Sequence, residues 1–216
     1  MIHHHIDQGR MAVGLPESIH LELFDLLHRR TLDRWHSMNA NEFTIRLKEI
    51  APSKVLLLDC DYGADEADRF IKSFECRRRS QPIGIESNGD SMLELLDKWD
   101  ISHVEIGPIC FHAEPEKFDG HLEIGTIEGD RLVYRPDAKD YVLLDSQNLE
   151  HVMCDAAPNG DSLLDGLIQI ADYFAKTAID EIDIDDEDTG AKTKNECITA
   201  FGGSKYESFC TTALGF

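Results

Sequence analysis

Several strand-like segments follow one another in the middle of the chain, and this run constrains the fold more than any other feature. The segments are residues 104–111, 121–126, 131–134 and 141–144. No helical pattern separates them, and the Glu128-Gly129-Asp130 stretch is typical of a hairpin turn. Strands joined by short turns pair antiparallel, whereas parallel strands need a crossover of about a dozen residues or more. The sequence therefore predicts a central, mostly antiparallel sheet.

Helical periodicity occurs on both sides of this run. Apolar residues recur at helical spacing in residues 15–35, 39–50, 64–74, 91–99, 163–175, 195–201 and 204–214. Two other segments, Lys54–Asp59 and Gln81–Ile85, have the short apolar composition of strands. Helices placed before and after a block of strands are typical of the α+β class. We expect a flexible leader over residues 1–14 and a single α+β domain over residues 15–216, within which residues 15–80 could form a helical subregion.

The tetrapeptide Asn-Gly-Asp-Ser occurs twice, at residues 88–91 and 159–162. A turn followed by a short polar side chain is typical of a helix start, because that side chain accepts a hydrogen bond from a free backbone N–H. Each copy therefore predicts the beginning of a helix.

The charge is strongly acidic and unevenly distributed. The net charge is −21, and residues 81–216 carry 9 Lys and Arg against 29 Asp and Glu. A nucleic-acid-binding protein normally has a basic surface, so that class is disfavoured. The longest apolar runs, such as Val55–Leu58, are too short to span a bilayer. Two interpretations of the acidic excess stay open: a device for solubility, or a docking surface for a cationic protein.

The cysteines and the N-terminus favour a cytoplasmic protein. The six cysteines are widely spaced, form no Cys-x-x-Cys pair, and follow no secretory signal. Reduced thiols are therefore expected. The His3–His5 run is not expected to hold a metal, because a frayed terminus is not preorganised.

One segment resembles the start of the haloacid-dehalogenase phosphatases. The apolar run Val55–Leu58 precedes Asp59 and Asp61, and Gly160-Asp161 with Asp165 resembles the late Mg²⁺ motif of that family. The resemblance implies that Asp59 attacks phosphorus while Asp61 handles a proton. The alternative is that both aspartates end a strand and cap the helix that begins near Asp65. Tyr62-Gly63 departs from the family pattern, and strands do not alternate with helices.

Two further segments contain metal-ligand types. Residues 185–196 place Asp185, Glu187, Thr189, Gly190 and Glu196 at EF-hand positions, but Lys192 stands where an apolar residue is usual. A solvated acidic loop is the simpler interpretation. His103, His112 and His121 recur at a spacing of nine in the β region. Ordinary hydrogen bonds are a better expectation for them than a shared metal site.

A broader resemblance concerns residues 100–216. The stretch 121–134, HLEIGTIEGDRLVY, resembles the central strands of the SUKH superfamily, and Asn159–Leu163 resembles its late helix start. The ending from Ala200 through Tyr206 to Phe209 is similar to the tail of some members. This superfamily includes fungal cell-wall regulators and bacterial toxin-immunity proteins, and it has no shared catalytic residues. The resemblance implies an α+β protein that binds a partner, often a toxin.

These observations predict a non-enzymatic, protein-binding module of the immunity type, which neutralises a basic toxin through an acidic surface. The alternative is a Mg²⁺-dependent phosphatase that uses Asp59 and Asp61. We expect no cofactor, no metal site, no membrane and no nucleic-acid partner. The candidate partner-binding residues lie in or beside predicted β turns: Glu123, Glu128, Asp130, Asp137 and Asp140. A second acidic patch comprises Asp183, Asp185, Asp186, Glu187 and Asp188.

Overall fold

The computed structural model describes residues 2–6, 11–15, 38–183 and 187–215, and the chain divides into two units, residues 1–37 and 38–216. In the first unit, β1 (Ile2–Ile6) pairs antiparallel with β2 (Met11–Leu15). The division lies between residues 37 and 38, whereas the sequence predicts a leader that ends at residue 14. Beyond residue 15, the helix predicted over residues 15–35 lies outside the described residues.

Three helices open the second unit: α1 (Ala40–Glu49), α2 (Lys54–Asp59) and α3 (Ala64–Lys72). Asn39 caps the first, since its side-chain oxygen accepts a hydrogen bond from the Glu42 N–H at 2.9 Å. Ser53 caps the second through the N–H of Leu56 at 3.3 Å. Short polar residues at these positions satisfy backbone donors that the first helical turn leaves free.

The strand predicted over Lys54–Asp59 is wrong, because these residues form α2. Only Leu57 is buried, whereas Val55, Leu56 and Leu58 are 67%, 45% and 43% exposed. Four consecutive apolar residues fit a helix and a strand equally well by periodicity, and the cap at Ser53 favours the helix.

The strand predicted over Gln81–Ile85 is also wrong. The backbone N–H groups of Gly84 and Ile85 donate to a carboxylate oxygen of Asp97, at 2.8 and 3.0 Å. These donors are therefore satisfied by a side chain rather than by a neighbouring strand.

A six-stranded sheet forms the centre of the second unit. Its strands are β5 (Glu105–Ile106), β6 (Ile109–Phe118), β7 (His121–Ile127), β8 (Asp130–Arg135), β9 (Asp140–Leu144) and β10 (Val152–Ala157). The spatial order is β10-β9-β8-β7-β6-β5, and every pair is antiparallel. A small separate sheet pairs β3 (Arg77–Arg78) with β4 (Trp99–Asp100). The predicted α+β class and antiparallel sheet are thus confirmed.

The remaining helices are α4 (Ser91–Lys98), α5 (Gly160–Thr177), α6 (Glu187–Ala200) and α7 (Glu207–Leu214), with a short 3₁₀ turn at Ser204–Tyr206. The main core joins helix and sheet side chains, among them Leu96, Leu167 and Leu143. A smaller cluster on the sheet comprises Val133, Val142 and Leu144, with Phe118 packed against it. None of the described helices is both long and apolar enough to cross a bilayer.

The two Asn-Gly-Asp-Ser copies meet in space, although they cap their helices differently. Asp90 is the N-cap of α4 and accepts from the Leu93 N–H at 3.0 Å, whereas Asn159 is the N-cap of α5. The second carboxylate oxygen of Asp90 accepts from the Gly160 N–H at 2.8 Å. A Cβ on Gly160 would lie 2.2 Å from Asp90, so only glycine allows this approach. Asp90 therefore joins the N-termini of both helices.

Candidate functional site

Two neighbouring strands are irregular at the same place in the sheet. Between β6 and β7, Phe111 lies opposite Gly125 and the next pair is Glu116 with Glu123, so the four residues 112–115 lie opposite the single residue Ile124. Between β7 and β8, a register shift falls between Glu123 and Gly125. Bulges bend a strand and redirect the side chains beside them.

Glu123 lies at this irregularity and is held by two basic side chains. One carboxylate oxygen lies 2.8 Å from Nε2 of His112, and the other lies 2.6 Å from Nη1 of Arg131. The guanidinium carbon of Arg131 also lies 5.1 Å from the Phe118 ring centre. The Glu123 side chain is only 7% exposed. The expectation that Glu123 is an exposed docking charge is therefore wrong, because the bulge turns this carboxylate toward internal partners.

The other four predicted partner-binding residues lie at opposite ends of the sheet. Glu128 and Asp130 belong to the β7–β8 turn, whereas Asp137 and Asp140 belong to the β8–β9 turn. The six residues of β8 separate the two turns by about 20 Å, at roughly 3.3 Å per residue. These residues cannot form one compact patch.

The β8–β9 end mixes both signs of charge. The Arg135 guanidinium donates two hydrogen bonds to the Asp140 carboxylate, at 2.8 and 2.6 Å. Asp137 is exposed, and Lys139 follows it in the same turn. The acidic charge at this end is therefore partly neutralised within the chain.

The β7–β8 end has an excess of acidic side chains, and the arginine at this end, Arg131, pairs with Glu123. Glu128 and Gly129 have φ angles of 52° and 95°, as a tight hairpin turn requires, and Glu128 is exposed. Asp130 accepts from the backbone N–H of Ser146 at 3.0 Å, which holds the β9–β10 loop beside this turn. That loop contributes Asp145 and the exposed Glu150. Residues 141–160 contain no Lys or Arg.

Exposed apolar side chains lie in the same loop and in the strand that follows it. Leu149, Val152 and Met153 are 44%, 40% and 49% exposed. Val152 and Met153 begin β10, the outermost strand of the sheet, whose far end at Ala156 and Ala157 is buried. We call the surface formed by Glu128, Asp145, Leu149, Glu150, Val152 and Met153 the acidic–apolar edge. The sequence could not reveal it, since β10 lacks a clear alternation.

The four aspartates of the phosphatase interpretation do not assemble. Asp59 ends a helix rather than a strand. Asp165 lies near Arg46 and Glu42 of α1, whereas Asp59 and Asp61 flank Cys60, which lies near Asp180. Across the described ranges, no group of three or more His, Cys, Asp or Glu side chains could hold a metal ion. The phosphatase interpretation requires Asp59 at the end of a strand, and the structure has no strand there.

Asp165 nevertheless has an unusual environment. Burial raises the pKa of its carboxyl to about 6; Arg46 opposes the rise, and Glu42 and Asp161 add to it. Asp165 belongs to the second turn of α5, six residues after the Asn159 cap, and faces α1.

The EF-hand interpretation is wrong in its local geometry. Thr189, Gly190 and Glu196 all belong to α6, whereas an EF-hand needs a loop at these positions. The same helix overturns the simpler expectation of an acidic loop through Gly190. Of the second acidic patch, Asp183 and Asp188 are exposed, Glu187 begins α6, and Asp185 and Asp186 lie outside the described residues.

The three histidines have separate environments. His112 pairs with Glu123 as described, and the His121 ring lies 5.9 Å from that of Phe118. His103 precedes β5, and both of its ring nitrogens are buried without a hydrogen-bond partner among the described residues. The sequence gives no signal for this last feature, which depends on how α3 and α5 surround the ring.

Comparison with protein-family models, with curated proteins and with solved structures finds no match for this chain. The resemblance to the SUKH superfamily therefore stays a prediction.

Proposed function

We propose that this protein is a non-enzymatic binding module whose acidic–apolar edge docks on a cationic protein. One observation carries the proposal. Leu149, Val152 and Met153 are exposed together, in a stretch of 20 residues, 141–160, that contains acids and no Lys or Arg. Apolar anchors beside a charged rim are the usual composition of a protein-binding surface.

The apolar side chains would supply most of the affinity. Burial of apolar surface is worth about 25 cal/mol per Å², and a few central side chains dominate most interfaces. Leu149 and Met153 are large, nearly half-exposed side chains that a partner can bury. They supply the anchors that a purely electrostatic surface lacks.

The acids would select the partner and speed its approach. Glu128 and Glu150 are exposed, and no ion pair joins either to another described residue. A positively charged partner is attracted over about a Debye length, roughly 10 Å at 0.1 M salt. The partner we propose is a basic toxin, and the resemblance to immunity proteins supports this finer identification.

The test uses the native host as the source of partner and compares matched baits. We expect a basic protein to be retained by the wild-type chain and lost by Met153→Asp, which places a charge among the anchors. Asp137→Lys is the control, because it reverses an exposed charge at the opposite end of the sheet. With the purified partner, Glu128→Lys and Glu150→Lys should slow association about tenfold and leave dissociation nearly unchanged.

Two results would contradict the proposal. One is a partner whose retention and association rate are the same for the edge variants and for Asp137→Lys. The other is hydrolysis of a phosphate ester by the Mg²⁺-supplemented protein that Asp59→Asn abolishes, since this would restore the phosphatase alternative.

A further inference from the structure

A cleft lies between α3, β3, the β5–β6 turn and α5, and its volume is about 650 Å³. Its lining includes Arg69, Lys72 and Arg77. None of the three forms an ion pair with a described residue. Unpaired cations gathered in one cleft are unexpected in a chain with 42 acidic and 21 basic residues.

Arg77, Arg78 and Arg79 are consecutive in the sequence, but their side chains have different environments. Arg79 donates to the carbonyl oxygens of Leu96 and Trp99 at 3.3 and 3.1 Å, and Arg78 lies 5.1 Å from the Trp99 ring. Arg77 alternates with Arg78 along β3 and lines the cleft. Two of the three arginines therefore stabilise the fold, and the third remains available.

Aromatic side chains form the walls of the cleft. The Phe70 ring lies 5.8 Å from that of Tyr62 and 5.4 Å from that of Phe74. Phe174 of α5 lines the opposite side, where a Cβ on Gly107 would lie 2.2 Å from its ring. Gly107, with a φ of 57°, thus lets the β5–β6 turn approach this ring.

His103 lines the cleft, and both of its ring nitrogens are buried without a hydrogen-bond partner among the described residues. Because no water-sized atom reaches these nitrogens, they do not bind a ligand oxygen, and recognition of an anion falls to the three cations.

Two carboxylates also line the cleft, and both have positions that limit their effect. Glu66 is turned toward the start of its own helix, with Oε2 3.4 Å from the Gly63 backbone nitrogen. Glu105 is exposed on the short edge strand β5. The three unpaired cations outnumber them.

We propose that this cleft binds a phosphate monoester attached to an aromatic group. Arg69, Lys72 and Arg77 receive the phosphate dianion, because guanidinium groups match phosphate oxygens with paired hydrogen bonds. The rings of Tyr62 and Phe70 contact the aromatic part. The site is separate from the acidic–apolar edge and does not depend on the function proposed for it.

Calorimetric titration of the full chain with phenyl phosphate, inorganic phosphate, benzoate and phenol tests the proposal. We expect phenyl phosphate to bind at least about tenfold more tightly than any of the other three. A charge-assisted hydrogen bond is worth about 1.5–3 kcal/mol, so Arg69→Ala and Arg77→Ala should each weaken binding by about 10- to 100-fold.

Lys48→Ala is the matched control, since Lys48 is an exposed cation of α1 outside the cleft. It should leave the affinity unchanged, and thermal unfolding should show that every variant is folded. The proposal is overturned if phenyl phosphate does not bind, if benzoate binds as tightly, or if folded Arg69→Ala and Arg77→Ala bind like Lys48→Ala. Because the acidic–apolar edge is unaltered in all these variants, such a failure would leave the proposed protein binding untouched.

Discussion

Two carboxylates of the second unit, Glu123 and Asp165, differ in the partners that surround them. Glu123 is buried, and its two oxygens lie 2.8 Å from His112 Nε2 and 2.6 Å from Arg131 Nη1, which connect β7 to both neighbouring strands. Asp165 is near Arg46 but forms no ion pair with a described residue, and burial raises its pKa to about 6. Glu123 thus holds the bulge in place, whereas the charge of Asp165 opposes folding at neutral pH.

We predict that Asp165→Asn stabilises the protein at pH 8. The native pKa, about 6, is above the usual value of 3.8, so the native state holds the proton more tightly than the unfolded chain. The stabilising effect of that proton is fully present below about pH 4 and is lost as the pH rises through 6. Asp165 is partly exposed, so solvent screening reduces the effect of its charge. The gain in unfolding free energy should therefore be about 1–2 kcal/mol at pH 8. Urea unfolding at pH 4 and pH 8 measures it.

The matched control is Asp137→Asn, which neutralises an exposed carboxylate in the β8–β9 turn. It should change stability by less than about 0.5 kcal/mol at both pH values. An equal gain for Asp165→Asn at pH 4 and pH 8 would contradict the assignment, because an amide that merely packs better has no dependence on pH.

At the scale of elements, the sequence predicts structure well where two signals agree. The strands over residues 121–126 and 131–134 were delimited by the Glu128-Gly129 turn, and they are observed as β7 and β8 with small extensions. Lys54–Asp59 has only an apolar run, which does not separate helix from strand. β10 was missed because its residues Cys154–Ala157 are small or polar, and its pairing with β9 is twice irregular. The cap at Ser53 decides the first segment, and the irregular pairing with β9 decides the second.

We predict that α2 tolerates shortening of the Val55 side chain to alanine but not of the Leu57 side chain. Leu57 is fully buried and Val55 is 67% exposed. Leu57→Ala should therefore cost about 2–5 kcal/mol of unfolding free energy, whereas Val55→Ala should change it by less than about 0.5 kcal/mol. Chemical denaturation of the two variants at pH 7 measures the difference. Similar losses at both positions would indicate a segment buried on both sides, as the sequence suggested.

At the scale of the whole molecule, charge and apolar surface are sorted into distinct regions. The acidic–apolar edge lies at one end of the sheet, whereas Arg69, Lys72 and Arg77, which form no ion pair with a described residue, line one cleft. The charge excess of residues 81–216 was evident from the sequence, but its division between two ends of the sheet was not. The number of Asp and Glu residues does not show which of them form ion pairs. Glu123 pairs with Arg131 of the neighbouring strand, and Asp140 pairs with Arg135 of the same hairpin. Only the register of the sheet brings these side chains together.

The thiols are sorted in a comparable way, which leads to a prediction about their reactivity. All six cysteines are free, Cys110 is exposed, and Cys197 and Cys210 are fully buried. Burial raises the pKa of the Cys197 and Cys210 thiols to about 12. At pH 8, such a thiol has about a thousandfold less thiolate than an ordinary one, and the thiolate is the reactive form. In the native protein, a thiol reagent should therefore modify Cys110 first. Cys197 and Cys210 should react last, together with Cys76, because burial raises the pKa of the Cys76 thiol to about 12 as well. Peptide mapping by mass spectrometry after timed labelling gives the order of modification.

Two controls accompany this measurement: Cys110→Ser should remove the fastest phase, and urea should make all six cysteines react alike. Native labelling of Cys197 or Cys210 at the rate of Cys110 would mean that the packing of α6 against α7 opens on the timescale of the reaction.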